Sequence, residues 1–225
     1  MKKLALFDID GVIYDGYSIF DQIQDQEKRG IIKSRTWDKI LLELQAYKSG
    51  QKTYVEAANK MLEVSADSIR GLENTFWLDD TKKYMSRHMN KFFPYFKHLV
   101  NALKDTHEIY FVTTNFQIIP QAIGEIFGIN NYLSSRAEVV EGKFTGKVEF
   151  SMAGNKGIVA RLINVYGRLG SIAVGDSEDD ADMLDLVEFP FVMEPNEKLA
   201  EIAKSKNWQI VNRDTIADII LKHAK

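Results

Sequence analysis

The 225-residue sequence has no cysteine, which excludes disulfides, thiol catalysis and cysteine-ligated zinc. Proline is scarce, with four residues, and so is histidine. His88, His98, His107 and His223 show no His-x-x-x-His or similar ligand spacing, so each reads as a surface or satisfied residue. Positive charge is in slight deficit. With 29 Lys and Arg against 32 Asp and Glu, the formal net charge of −3 offers no global basic field for nucleic acid or an anionic membrane. An anionic substrate would have to be met locally, by a metal or by individual Lys and Arg. No apolar run approaches the roughly 18 residues of a membrane span. Met1-Lys2-Lys3 precedes only four apolar residues, too few for a secretory signal, so the expectation is a soluble cytoplasmic protein.

What is present is an ordinary globular composition, 45% hydrophobic and 27% charged, long enough for one large domain or a core with an insert. The stretch Leu4-Ala5-Leu6-Phe7-Asp8-Ile9-Asp10-Gly11 organises the rest. Its short apolar run reads as a strand buried on both faces, of the kind found in parallel sheets. The two acids fall where that strand ends. In an open α/β sheet this rim borders the ligand crevice, and Gly11 lets the chain turn away. Period-2 alternation turns Asp8 and Asp10 to one side and Ile9 to the other. Two carboxylates on one side call for a cation, and Mg²⁺ suits an oxygen-only ligand set with substrate phosphate. A solvated acidic turn is the alternative at this point. A calcium loop is excluded, since it would need an acid where Val12 stands and glycine where Ile13 stands.

From Asp15 to about Lys91 the pattern is helical throughout. Trp37, Ile40, Leu41, Leu44 and Tyr47 form one stripe, ended near Gly50. Thr53 and Glu56 form a capping box that opens a second helix, with Val55, Ala58, Met61 and Leu62 on one face. Ser65 is read as the cap of a third, running through Ile69, Leu72 and Phe76. The aromatics Trp37, Tyr47, Phe76, Trp77 and Tyr84 are expected to form the core of this helical insertion rather than a substrate cage. After Pro94 helix and strand alternate. Strands are expected at Glu108–Asn115, Ser171–Asp176, Phe189–Met193 and Gln209–Val211, with a hairpin over Glu138–Val148 turning at Glu141-Gly142. Helices are expected over Pro94–Lys104, Ile118–Phe127, Lys156–Leu169, Asn196–Lys206 and Thr215–Lys222. The expected fold class is α/β: a Rossmann-like core with a parallel sheet flanked by helices, an inserted all-helical cap domain and a small β-hairpin. The core takes residues 1–14 and 92–225, the cap residues 15–91.

Three strands thus end in reactive groups: Asp8 and Asp10, then Thr113, then Asp176 with Asp180 four residues on. Lys156 lies between the last two, near a helix start. Each alone has a plain reading, as a strand-end hydroxyl, a solvated lysine or an acidic turn at a helix N-terminus. Their joint occurrence in order is more specific. The chain resembles the haloacid dehalogenase superfamily of phosphohydrolases. That family's Asp-x-Asp-Gly appears as Asp8-Ile9-Asp10-Gly11, and its post-strand hydroxyl as Phe111-Val112-Thr113. Its lone Lys matches Asn155-Lys156-Gly157, and its last motif matches Gly175-Asp176-Ser177-Glu178-Asp179-Asp180-Ala181-Asp182-Met183-Leu184. The helical insert, the hairpin and the Val192–Ala200 stretch are similar to the phosphoserine-phosphatase-like branch.

The resemblance implies that Asp8 attacks phosphorus to form an aspartyl-phosphate, with Asp10 as acid and then base. It implies Mg²⁺ on Asp8, the main-chain carbonyl of Asp10, and Asp176. Thr113, Thr114 and Lys156 would hold phosphoryl oxygens, and Asp180 would orient Lys156 or a metal-bound water. The expected partner is a small phosphorylated metabolite, with no nucleic acid or membrane; the sequence does not give the oligomeric state. Two departures stand out. Val12 replaces the family's usual Thr, and Tyr17 stands where phosphoserine phosphatases place a Glu for the substrate amino group, so a phosphomonoester other than phosphoserine is expected. A phosphotransferase or phosphomutase using the same aspartyl-phosphate is the alternative. Behind it comes a non-catalytic phospho-acceptor or binding module related to receiver domains, which are about half this size. A dehalogenase would leave Asp10 without a role.

Overall fold

Leu4, Ala5, Leu6 and Phe7 are all buried, the result an apolar run gives when helices cover both faces of a sheet. In the computed structural model, which describes residues 2–223, they form β1 (Lys3–Phe7) at the middle of a seven-stranded sheet. Met1, Ala224 and Lys225, the ends of the expected core, lie outside the described residues. The other strands are β2 (His107–Phe116), β3 (Asn131–Val140), β4 (Lys143–Phe150), β5 (Ile172–Gly175), β6 (Phe189–Met193) and β7 (Gln209–Val211). Their order is β4-β3-β2-β1-β5-β6-β7. Every pairing is parallel except that of β3 with β4, so the core is Rossmann-like with one antiparallel edge. Phe7 pairs with Phe111 on one side and Val174 on the other, which sets the carboxyl ends of the three central strands level.

Alternation along β1 divides the interior in two. Ala5 and Phe7 join a cluster with Phe96, Leu99, Ile119, Ile123 and Ile220. These come from α5 (Pro94–Leu103), α6 (Ile118–Phe127) and α10 (Ile216–His223). Leu4 and Leu6 face the opposite cluster, with Val159, Met183, Leu184 and Leu199. Here the covering helices are α7 (Ala160–Tyr166), α8 (Ala181–Leu186) and α9 (Glu197–Lys206).

Between β1 and α5 stands the helical insert, made of α1 (Ser18–Lys28), α2 (Thr36–Lys48), α3 (Tyr54–Ser68) and α4 (Asn74–Arg87). The capping box is present at α3: Glu56 N–H donates to the Thr53 hydroxyl and Thr53 N–H to the Glu56 carboxylate. Inside the insert the Trp77 indole donates to Gln26 at 3.1 Å, and Arg29 grips Asp80 through two 2.8 Å hydrogen bonds. Trp77 also meets Phe144 of β4 edge-to-face at 4.9 Å. The α3–α4 turn is stitched to the hairpin by main-chain hydrogen bonds: Gly71 N to Phe144 O, Phe144 N to Leu72 O and Asn74 N to Gly142 O.

Four expectations need correction. Ser65 does not cap a third helix; it lies inside α3, where its hydroxyl bonds back to the Met61 carbonyl at 2.8 Å, and the next helix starts only at Asn74. Lys156 begins a short 3₁₀ turn (Lys156–Val159), and the helix that follows stops at Tyr166 because Gly167 leaves the helical region at φ +84°. The first hairpin strand is longer than expected. β3 begins at Asn131 as a parallel partner of β2 and becomes the hairpin arm only in its second half. Lastly, the aromatics of the insert divide: Trp77 and Tyr84 are buried, Phe76 is exposed, and Tyr47 lines the cavity described below.

Candidate active site

At the carboxyl rim of β1, β2 and β5, a cavity of about 510 Å³ is lined by Asp8, Asp10, Thr113, Thr114, Lys156 and Asp176 together. Its far wall belongs to the helical insert. Asp8 follows directly from β1, its N–H held by the Val174 carbonyl at 3.0 Å. Gly11 turns the chain at φ +74°, and a Cβ there would stand 2.2 Å from the Asp176 carboxylate, so only glycine admits this approach. Asp10 is fixed from two sides, accepting from Ser18 N–H at 2.9 Å and the Asn115 amide at 3.2 Å.

Lys156 is buried, with its ammonium 2.8 Å from Asp8 and 2.6 Å from Asp180. The second Asp180 oxygen accepts from Asp176 N–H, Ser177 N–H and the Ser177 hydroxyl. Asp180 therefore ties the lysine to the loop that carries Asp176. Carboxylate oxygens of Asp8, Asp176 and Asp180 lie within 4.8 Å of one another. Asp10 reaches the cavity, but its side chain is outside that cluster.

One buried cation does not balance these acids. Burial pushes Asp8 up to about 8 against the pull of Lys156, and burial together with Asp180 and Asp8 pushes Asp176 well above the carboxylate range. Asp10 rises to about 6 through burial, with Ser18 and Asn115 hydrogen bonds pulling the other way. Burial alone would lower Lys156, yet Asp180 and Asp8 hold it well above its ordinary value. An all-oxygen cluster with excess negative charge is the donor chemistry that suits a hard divalent cation, so a metal fits this site.

Several residues of the site lie outside the set expected from the sequence. Asn115 and Ser18 hold Asp10 and each other, the amide meeting the Ser18 hydroxyl at 3.1 Å. Asp179 accepts from the Thr114 hydroxyl at 3.1 Å and from Gly154 N–H at 2.7 Å. Tyr47 of α2 crosses from insert to core, its hydroxyl 2.9 Å from Glu178. Asn115 could have been singled out, since it ends the same strand as Thr113; the others depend on chain-distant packing.

The class is thus a parallel α/β protein with an acidic, metal-competent site under a helical insert, and comparison with known proteins gives the family. A family model described as haloacid dehalogenase-like hydrolase matches residues 2–186. The chain belongs to that family. It is 23% identical over 237 residues to a histidinol-phosphatase of Neisseria meningitidis serogroup C (strain 8013), covering 94% of this chain and 99% of that one. Among solved structures, a protein of unknown function from Bordetella pertussis Tohama I superposes with a TM-score of 0.77 at 22% identity, over 95% of this chain and 99% of that one. A substrate-bound phosphoserine phosphatase complex gives 0.72 at 22% identity, over 100% and 99%. Among the described residues no helix is long and apolar enough to cross a membrane.

Proposed function

We propose that the chain is a magnesium-dependent phosphatase that hydrolyses a small phosphomonoester through an aspartyl-phosphate on Asp8. Residues 15–91 serve as the cap and residues 1–14 and 92–225 as the catalytic core. What supports this above all is Lys156, buried 2.8 Å from Asp8 and 2.6 Å from Asp180 at the end of the rim that also carries Asp10, Thr113 and Asp176. The similarity to a histidinol-phosphatase and to phosphoserine phosphatases points to the same reaction class.

In the first step an Asp8 oxygen forms a bond to phosphorus while the bond to the ester oxygen breaks, and Asp10 gives its proton to the departing alkoxide. In the second, Asp10 takes a proton from water as the water oxygen attacks the same phosphorus, freeing phosphate and the Asp8 carboxylate. A value near 6 suits Asp10 to both roles close to neutrality. The Ser18 and Asn115 hydrogen bonds aim it. Lys156 and the Thr113 and Thr114 groups hold the non-bridging phosphoryl oxygens, which travel with phosphorus. Magnesium, held by Asp8, Asp176 and the Asp10 carbonyl, would offset the negative charge that gathers between nucleophile and phosphoryl group.

Phosphate release from a panel of phosphomonoesters with magnesium tests this, beside EDTA and Asp8→Asn. Release should vanish in both controls, and mass spectrometry of acid-quenched enzyme should find phosphate on Asp8. Turnover that survives Asp8→Asn rejects the proposal.

A further inference from the structure

We infer that the ester's leaving group is an uncharged, apolar alkyl or arylalkyl moiety, seated against the helical insert; the inference rests on the phosphatase reading. The cavity that begins at Asp8 and Lys156 continues without a break to a wall made by Ile19, Phe20, Leu44, Ala58, Met61 and Leu62. Its volume, about 510 Å³, is much more than a phosphoryl group needs and falls in the roughly 300–1,000 Å³ range of small-molecule sites. On the insert side the one charged lining residue among those described is Lys48, which is exposed at the mouth, as are Glu197 and Lys198 on the core side.

Three polar groups of that wall are already engaged, and the Tyr17 hydroxyl sits on a half-exposed side chain. The Ser65 hydroxyl donates to Met61 O, the Tyr47 hydroxyl to Glu178, and the Tyr54 hydroxyl faces Thr114 at 3.4 Å. Tyr47 and Tyr54 therefore present ring surface. They lie edge-to-face with centroids 5.8 Å apart and line the same cavity as the acids and the aliphatic wall. An ammonium or carboxylate carried past them would lose its water and gain no partner, which is costly. An apolar group would gain burial along its whole length. The small side chains of Ala57 and Ala58 leave the room.

The experiment compares kcat/KM, with magnesium, for ethyl phosphate, 2-phenylethyl phosphate and phosphoserine, whose leaving groups are all alkoxides. The expected order puts 2-phenylethyl phosphate at least about tenfold above ethyl phosphate, since even single methylenes discriminate that well in apolar pockets. Phosphoserine should fall below ethyl phosphate. Ala58→Asp, which adds a charge to the wall, and Ala58→Leu, which fills it while keeping it apolar, should each pull the phenylethyl-to-ethyl ratio towards one. If phosphate is released but phosphoserine equals or exceeds 2-phenylethyl phosphate, the apolar leaving group is wrong and the phosphatase stands. A ratio near one in the unaltered enzyme has the same meaning. Release from none of the three, nor from para-nitrophenyl phosphate, overturns the phosphatase reading and this inference with it.

Discussion

Replacing Lys156 by Met tests the electrostatic argument directly. Methionine matches the length and flexibility of the lysine stem, so the change removes the charge with little change in packing. It deletes the one ammonium set between Asp8 at 2.8 Å and Asp180 at 2.6 Å, and leaves both carboxyls buried. Removing one partner of a buried pair costs about 3–5 kcal/mol. For a chain of this size that corresponds to a fall in Tm of about 6–20 °C. The loss should depend on pH in a definite sense. Lys156 lowers Asp8, so without it the folded-state value climbs beyond about 8. A carboxyl whose folded value lies above its unfolded one contributes stability at low pH and loses it as pH rises through the folded value. The gap between the two proteins should accordingly be nearly constant from pH 5 to 7 and widen above about pH 8, where Asp8 ionises in the folded parent but not in the folded variant. Urea unfolding of both in EDTA, at several pH values, gives the measurement. A variant within about 1 kcal/mol of the parent at pH 8, or a gap that widens on acidification, refutes the reasoning.

The same sign applies to Asp10. In EDTA its contribution to stability should decline as pH rises from about 4 through about 6, by roughly 3 kcal/mol for a value moved from 3.8 to about 6, and Asp10→Asn should flatten that part of the profile. Gly11→Ala would drive a methyl group into the Asp176 carboxylate and strain a φ of +74°. If Asp176 is a ligand of the proposed magnesium, affinity for that ion, read by calorimetry, should fall at least about tenfold on the usual effect of disturbing what orients a metal ligand; unaltered affinity would count against Asp176 as a ligand.

Much of the architecture is legible from side-chain period and strand ends. Leu4–Phe7 and Ile172–Val174 are unbroken apolar runs because both faces of the central sheet are covered, and such runs announce themselves. β3 escapes this rule. Its opening, Asn131-Tyr-Leu-Ser-Ser-Arg136, contains little aliphatic sequence, because Ser134 and Ser135 are buried with their hydroxyls bonded to main-chain oxygens rather than packed as hydrocarbon. Ser65 misleads for a related reason. The hydroxyl that would cap a helix start can equally bond to the carbonyl four residues back inside one. At the site, Asp8, Thr113 and Asp176 can be picked out because each closes an apolar run, and Lys156 only through its place in order among them. Ser18, Asp179, Glu178 and Tyr47 have no such marker. Their partners are decided by how the insert lies on the sheet, with Tyr47 and Glu178 131 positions apart.

The three main-chain bonds between the α3–α4 turn and the β4 hairpin bear on how a ligand gets in. They weld that half of the insert to the sheet edge as if it were another rung, and a rung does not swing. The opposite half is held to the core by side chains, among them the Tyr47–Glu178 hydrogen bond, and these can let go singly. Among the described contacts, opening on the α2 side would break side-chain bonds alone, so that is the side on which a ligand would enter.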